Sequence, residues 1–112
     1  MGGRGVIGSA SALAVVVTAL IASAEPIPAI DVQLFQFQPG AVVVPSGTTV
    51  TWTNRDDIEH TVTAGDPEHR TGRFDVRLPA RGASTKVSFG EPGVYPYFCD
   101  RHPSMRGEIR VK

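Results

Sequence analysis

Apolar side chains recur at every second position in short runs along most of this chain, and turn residues separate the runs. Ile30, Val32 and Leu34 alternate with Asp31 and Gln33, the period of a strand with one buried face. Phe35 and Phe37 continue on the opposite parity, which predicts a bulge or strand crossover, and Pro39-Gly40 ends the segment. Ala41 to Val44 reads as a short apolar strand closed by Pro45-Ser46-Gly47. Thr48 to Thr53 is rich in β-branched residues, with Val50 and Trp52 on one face and Trp52 expected in the core. Asn54 to Glu59 is a polar, mostly acidic loop, and a strand resumes from His60 to Thr63. Gly65 to Gly72 reads as a charged connection, and Phe74 to Leu78 as another strand. Ala83, Thr85, Val87 and Phe89 share a face, Glu91-Pro92-Gly93 is a turn, and Val94 to Cys99 is apolar and aromatic. Ile109 and Val111 face inward in a closing strand. Sustained helical periodicity is absent. Seven to eight short strands at this spacing predict an all-β antiparallel sandwich or barrel.

The N-terminus follows a different rule. Arg4 gives a short positive start, and Val6 to Ala22 is uncharged and rich in Ala, Val, Leu and Ile. Ala22-Ser23-Ala24 is a small-x-small cleavage pattern, so residues 1–24 are expected to be an export signal peptide and 25–112 one domain. A retained membrane anchor is the alternative. Against it, Gly8, Ser9, Ser11 and Thr18 interrupt a run already short of the ~20 residues a bilayer crossing needs. The expected location is the periplasm, or a secreted or membrane-associated state if the segment stays attached.

Removing 24 of 112 residues leaves 88, enough for a modest core. The remainder carries ten basic and eleven acidic side chains, a net charge of −1. With no basic stripe, nucleic acid is excluded as a partner. A single cysteine in an exported chain is unusual, because small secreted domains use cysteines in pairs. An unpaired thiol in an oxidising compartment calls for something to occupy it.

That cysteine opens the run Cys99-Asp100-Arg101-His102-Pro103-Ser104-Met105, which also holds the only methionine besides the initiator. Thiolate, imidazole and a weak thioether at Cys-x2-His-x2-Met spacing suit copper. Three ligands on one loop need a fourth from a rigid strand, and His60, thirty-nine residues earlier, is the natural candidate. Two His, one Cys and an axial Met make the set expected of one electron-transfer copper ion. Zinc is disfavoured because Met is a poor zinc ligand and zinc sites favour several cysteines. A Cys–His nucleophile would make a thiol enzyme, but leaves His60 and Met105 without roles. Taken singly, Cys99 and Met105 also fit a plain core origin. His69 lies in a polar turn and reads as solvent-exposed.

Three separated pieces resemble the cupredoxins, the small blue copper proteins, and within them the amicyanin and plastocyanin group. They are Asn54-x5-His60, Gly93-x-Tyr95-x3-Cys99 and Cys99-x2-His102-x2-Met105-Arg106-Gly107. The resemblance spans Ile30 to Lys112 and implies a cupredoxin-like Greek-key β-sandwich. It implies one type 1 copper held by His60, Cys99, His102 and Met105, and a one-electron carrier that is not an enzyme. Its redox donor and acceptor would dock near His102, ringed by apolar residues such as Pro103 and Pro39, on a monomer. A periplasmic copper carrier or storage protein is the alternative function. The resemblance further suggests that Asn54 bonds the backbone beside Cys99, and that His102 protonates and leaves Cu(I) at mildly acidic pH. Glu59, Thr61 and Asp100 depart from the family pattern, where proline, asparagine and Ser or Thr are frequent. As added carboxylates, Glu59 and Asp100 are expected to favour Cu(II) and lower the reduction potential. Arg101 and Arg106 flank the loop, either as solvated surface charges or as candidates for steering an acidic partner.

Overall fold

The computed structural model describes residues 28–112. The expected signal peptide and its cleavage point lie outside them. Among the described residues there are nine strands and no helix. They are β1 (Ala29–Gln33), β2 (Gln36–Gln38), β3 (Ala41–Val44), β4 (Thr48–Asn54), β5 (His60–Asp66), β6 (His69–Leu78), β7 (Ser84–Phe89), β8 (Gly93–Phe98) and β9 (Arg106–Val111). One sheet runs β2-β1-β4-β7 and the other β3-β9-β8-β5-β6. Most pairs are antiparallel, while β1 lies parallel to β4 and β3 to β9, so the chain switches sheets in Greek-key fashion.

The period-two pattern is the reason the sheets stack. Ile30, Val32, Val50, Trp52, Val62, Leu78, Tyr97 and Ile109 point between them and are almost wholly buried. Trp52 is fully buried, at the centre of an aromatic group with Phe74, Phe89 and Tyr97. Tyr97 stacks across the β8–β9 ladder on Gly107, its register partner, where a Cβ would overlap the ring. Residue 107 must therefore be glycine for the ring to lie there.

Two expectations are corrected. The parity change at Phe35 is neither a bulge nor a crossover. Leu34 and Phe35 form a two-residue hairpin turn with φ of 55° and 56°, and β2 returns antiparallel to β1. Leu34 consequently leaves the core face shared by Ile30 and Val32 and is 72% exposed. Nor is Gly65 to Gly72 an open connection. β5 and β6 continue through it to a tight turn at Pro67-Glu68, with a register shift between Thr63 and Gly65. Gly65 has φ of 106° and lies against the backbone of His69 and Arg70, a close approach that only glycine permits.

Candidate metal centre

The local rule behind the 99–105 loop is a spacing of three. The His102 N–H donates to Cys99 O (3.2 Å), the Met105 N–H to His102 O (2.8 Å), and the Cys99 N–H to Met105 O (3.1 Å). Two successive tight turns and a closing bond thus tie the three residues into a ring of backbone hydrogen bonds. The loop hangs between β8 and β9, whose pairing runs up to Phe98 and Arg106. Cys99 and Met105 are buried, and His102 is half-buried.

His60 opens β5, which is buried along almost its whole length between β8 and β6. Its Nδ1 lies 3.7 Å from Cys99 Sγ, and His102 Nδ1 lies 3.7 Å from the same sulfur. The donor atoms of the three residues all lie within 4.8 Å of one another, close enough to meet on one ion. The Thr61 N–H donates to Cys99 Sγ at 3.3 Å, a contact that stabilises a thiolate. Two nitrogens and a sulfur, converging without another strong partner in the gap, fit a thiophilic ion with a preference for imidazole. His69 stands apart, exposed on β6 beside Asp66.

The loop between β4 and β5 is tied down by Asn54, though not to Cys99. Its Nδ2 donates to Ile58 O (2.8 Å) and Leu78 O (3.0 Å), and its Oδ1 accepts from the Asp56 N–H. This corrects the expected Asn54 link. The short side chain reaches its own loop and the end of β6. Thr61 makes the link instead: its hydroxyl accepts from the Asp100 N–H at 2.7 Å and bonds Thr63, which donates to Asp75.

Glu59 and Asp100 flank the site but face arginines. Arg77 grips Glu59 with two 3.0 Å bonds and Arg101 adds a third, while Asp100 pairs with Arg70. The Arg77 guanidinium holds Glu59 below its ordinary range against some burial. Both carboxylates are thus paired with arginines.

Three residues the sequence reading did not assign complete the site. Phe35 sets its ring edge-on to His60 (5.3 Å between centroids) and to His102 (4.9 Å). It is therefore an apolar neighbour of His102, a role the sequence reading gave to prolines. Asp56 bonds His60 through Nε2 (2.8 Å). Thr61 is the third. Its position after a candidate ligand histidine is a usable signal, whereas Asp56 is indistinguishable in sequence from Asp57. Burial pushes His102 below its ordinary 6.5, with His60 and Arg101 adding to it and Asp56 opposing.

Comparison with known proteins agrees with this geometry. Residues 27–112 match the family model for copper binding proteins of the plastocyanin/azurin family. Plastocyanin of Scenedesmus fuscus is 32% identical over 84 residues, covering 68% of this chain and 86% of its own. Amicyanin-alpha of Methylorubrum extorquens is 33% identical over 88 residues, 74% of this chain and 70% of its own. A purple cupredoxin from Nitrosopumilus maritimus superposes with a TM-score of 0.69 at 29% identity, over 76% of this chain and 99% of that one. From its sandwich, its sulfur and imidazole donors and these relatives alike, this chain belongs to the plastocyanin/azurin family of copper-binding cupredoxins, and copper is its cofactor.

Proposed function

We propose that the protein is an exported one-electron carrier whose single copper is held by His60, Cys99, His102 and Met105. The observation that carries the reading is the convergence of both histidine nitrogens on one buried sulfur, from segments thirty-nine residues apart. When bound, copper supplies a Cu(II)/Cu(I) couple. The protein's part is to hold the donors still. Cys99 and Met105 are locked by the backbone ring, and His60 by its strand, so neither valence state can pull the cage into its preferred geometry. Met105, closing that ring and buried beside it, would supply the weak thioether donor when copper is bound.

His102 is the donor nearest the surface, and with Phe35, half-exposed, it offers an apolar contact for a redox donor and acceptor. A small patch of this kind favours brief docking of a monomer. Complete burial of Cys99 weighs against a thiol enzyme, whose nucleophile must meet a substrate. Export to the periplasm rests on the pattern at residues 1–24; N-terminal sequencing of the exported protein should begin at Glu25.

Adding Cu(II) to the mature protein tests the function. One equivalent should give an intense thiolate-to-copper band that bleaches on reduction and returns on reoxidation. Copper lost readily to a competing chelator would favour the transport reading, and no binding would favour thiol chemistry. In the Cu(I) protein, protonated His102 would leave the ion, so the reduction potential should rise as pH falls below the ordinary imidazole range. A potential flat with pH would contradict this.

A further inference from the structure

We propose that Asp56 is a positioning residue for His60, which fixes the ring's tautomer, holds Phe35 over both imidazoles and biases the copper toward Cu(II). This rests on copper occupying the site as proposed above.

The case begins with hydrogen-bond inventory. An ionised carboxylate only accepts. Asp56 Oδ1 accepts from the Leu34 N–H at 2.9 Å, and Oδ2 from the Phe35 N–H at 3.2 Å. Oδ2 also lies 2.8 Å from His60 Nε2, in a ring that is fully buried. Nε2 must therefore carry the proton, which leaves the Nδ1 lone pair facing Cys99 Sγ. With both oxygens accepting backbone N–H bonds, Asp56 stands as an acceptor against the distal edge of the His60 ring.

A second observation concerns the turn. Leu34 and Phe35 both adopt the left-handed region, where neither side chain is at ease and where Asn-Gly is the usual choice. Their two N–H groups converge on Asp56, so the same carboxylate that orients His60 also holds this conformation. The result places the Phe35 ring against His60 and His102. Glu59 and Asp100, closer to the ligands in sequence, are occupied by arginines. Among the described residues no arginine lies within ion-pair distance of Asp56; Arg81 lies near enough to feel its charge but bonds Asp57, so the charged contact Asp56 makes is with His60. A carboxylate on the distal nitrogen makes an imidazole a stronger donor, which favours the more positive ion.

The test compares copper-loaded wild type with Asp56→Asn and Asp57→Asn. Asp57 is exposed and paired with Arg81, so its substitution removes a neighbouring charge without touching a ligand. Asp56→Asn should shift the Cu(I)/Cu(II) preference toward Cu(I) by about tenfold, a rise of about 59 mV for a one-electron couple. Asp57→Asn should shift it several-fold less. An unchanged potential in Asp56→Asn, or equal shifts in the two variants, overturns the proposal. Nitrogen-15 NMR of the copper-free wild-type protein provides a readout independent of any variant's folding. His60 should carry its proton on Nε2, in slow exchange, and the Leu34 and Phe35 amides should be protected. A proton on Nδ1 overturns the proposal. If wild type takes up no copper the proposed function fails, while the tautomer still decides whether Asp56 positions His60.

Discussion

Replacing Cys99 by serine exchanges a soft sulfur for a hydroxyl that stays protonated at neutral pH. Cys99→Ser should abolish the intense visible band and weaken copper binding by at least an order of magnitude, since softness selects the ion. Retention of the band at wild-type intensity would show that another group supplies the charge transfer. Thr61 tests the support of that sulfur. Thr61→Val keeps the shape but leaves the Asp100 N–H without its acceptor and breaks the hydroxyl chain to Thr63. The lost bond lies at the surface edge of the loop, so the cost is a hydrogen bond's net worth of about 0.5–1.5 kcal/mol, and the urea midpoint of the copper-free protein should fall accordingly. These roles were unequally legible. Cys99, His102 and Met105 announce themselves by rarity and spacing, because a turn repeats every three residues here. Asp56 does not, since its importance arises only when the β1–β2 turn folds onto it.

Among the elements, strands with one buried face were readable because alternation is written directly into β1, β4, β7 and β9. The hairpins were harder. A two-residue turn of Leu and Phe lacks the Asn or Gly that normally marks it, and its stability comes from Asp56, twenty-one or more residues away. Left-handed geometry costs about 1–2 kcal/mol for each such residue. Leu34→Asn should relieve part of this and raise stability by up to about 1 kcal/mol, with the copper spectrum unchanged because Phe35 is the residue stacked on the histidines. Destabilisation by Leu34→Asn would refute the assigned strain. The β5–β6 hairpin was masked by the charges and turn residues of its register shift. Gly107→Ala probes the same sheet at β9. Its methyl group would collide with the Tyr97 ring, and overpacking of this kind costs about 1–3 kcal/mol by chemical denaturation.

For the molecule as a whole, ionic pairing gathers around the site end of the sandwich. Asp57–Arg81, Glu59–Arg77 and Glu59–Arg101 tie the β4–β5 loop to its neighbours. Asp56, Asp57, Glu59 and Asp66 all titrate below their ordinary values of 3.8 for Asp and 4.5 for Glu. Each depressed carboxyl stabilises the fold fully above its unfolded value, and that contribution is lost as pH falls through the folded one. The urea midpoint of the copper-free protein should therefore drop between about pH 6 and about pH 3, whereas an unchanged midpoint would contradict the pairing. At this scale the family was legible from three short pieces, because the ligands cluster at sequence intervals that the fold requires. Which carboxylate contacts a site histidine was not, because ion pairing is a property of tertiary neighbours. The central claim is one rigid cage serving both valence states, and X-ray absorption at the copper edge tests it most directly. At neutral pH, oxidised and reduced protein should both show two nitrogens and one short sulfur at nearly the same distances. Loss of a nitrogen, or a different donor set, in the reduced spectrum would contradict it.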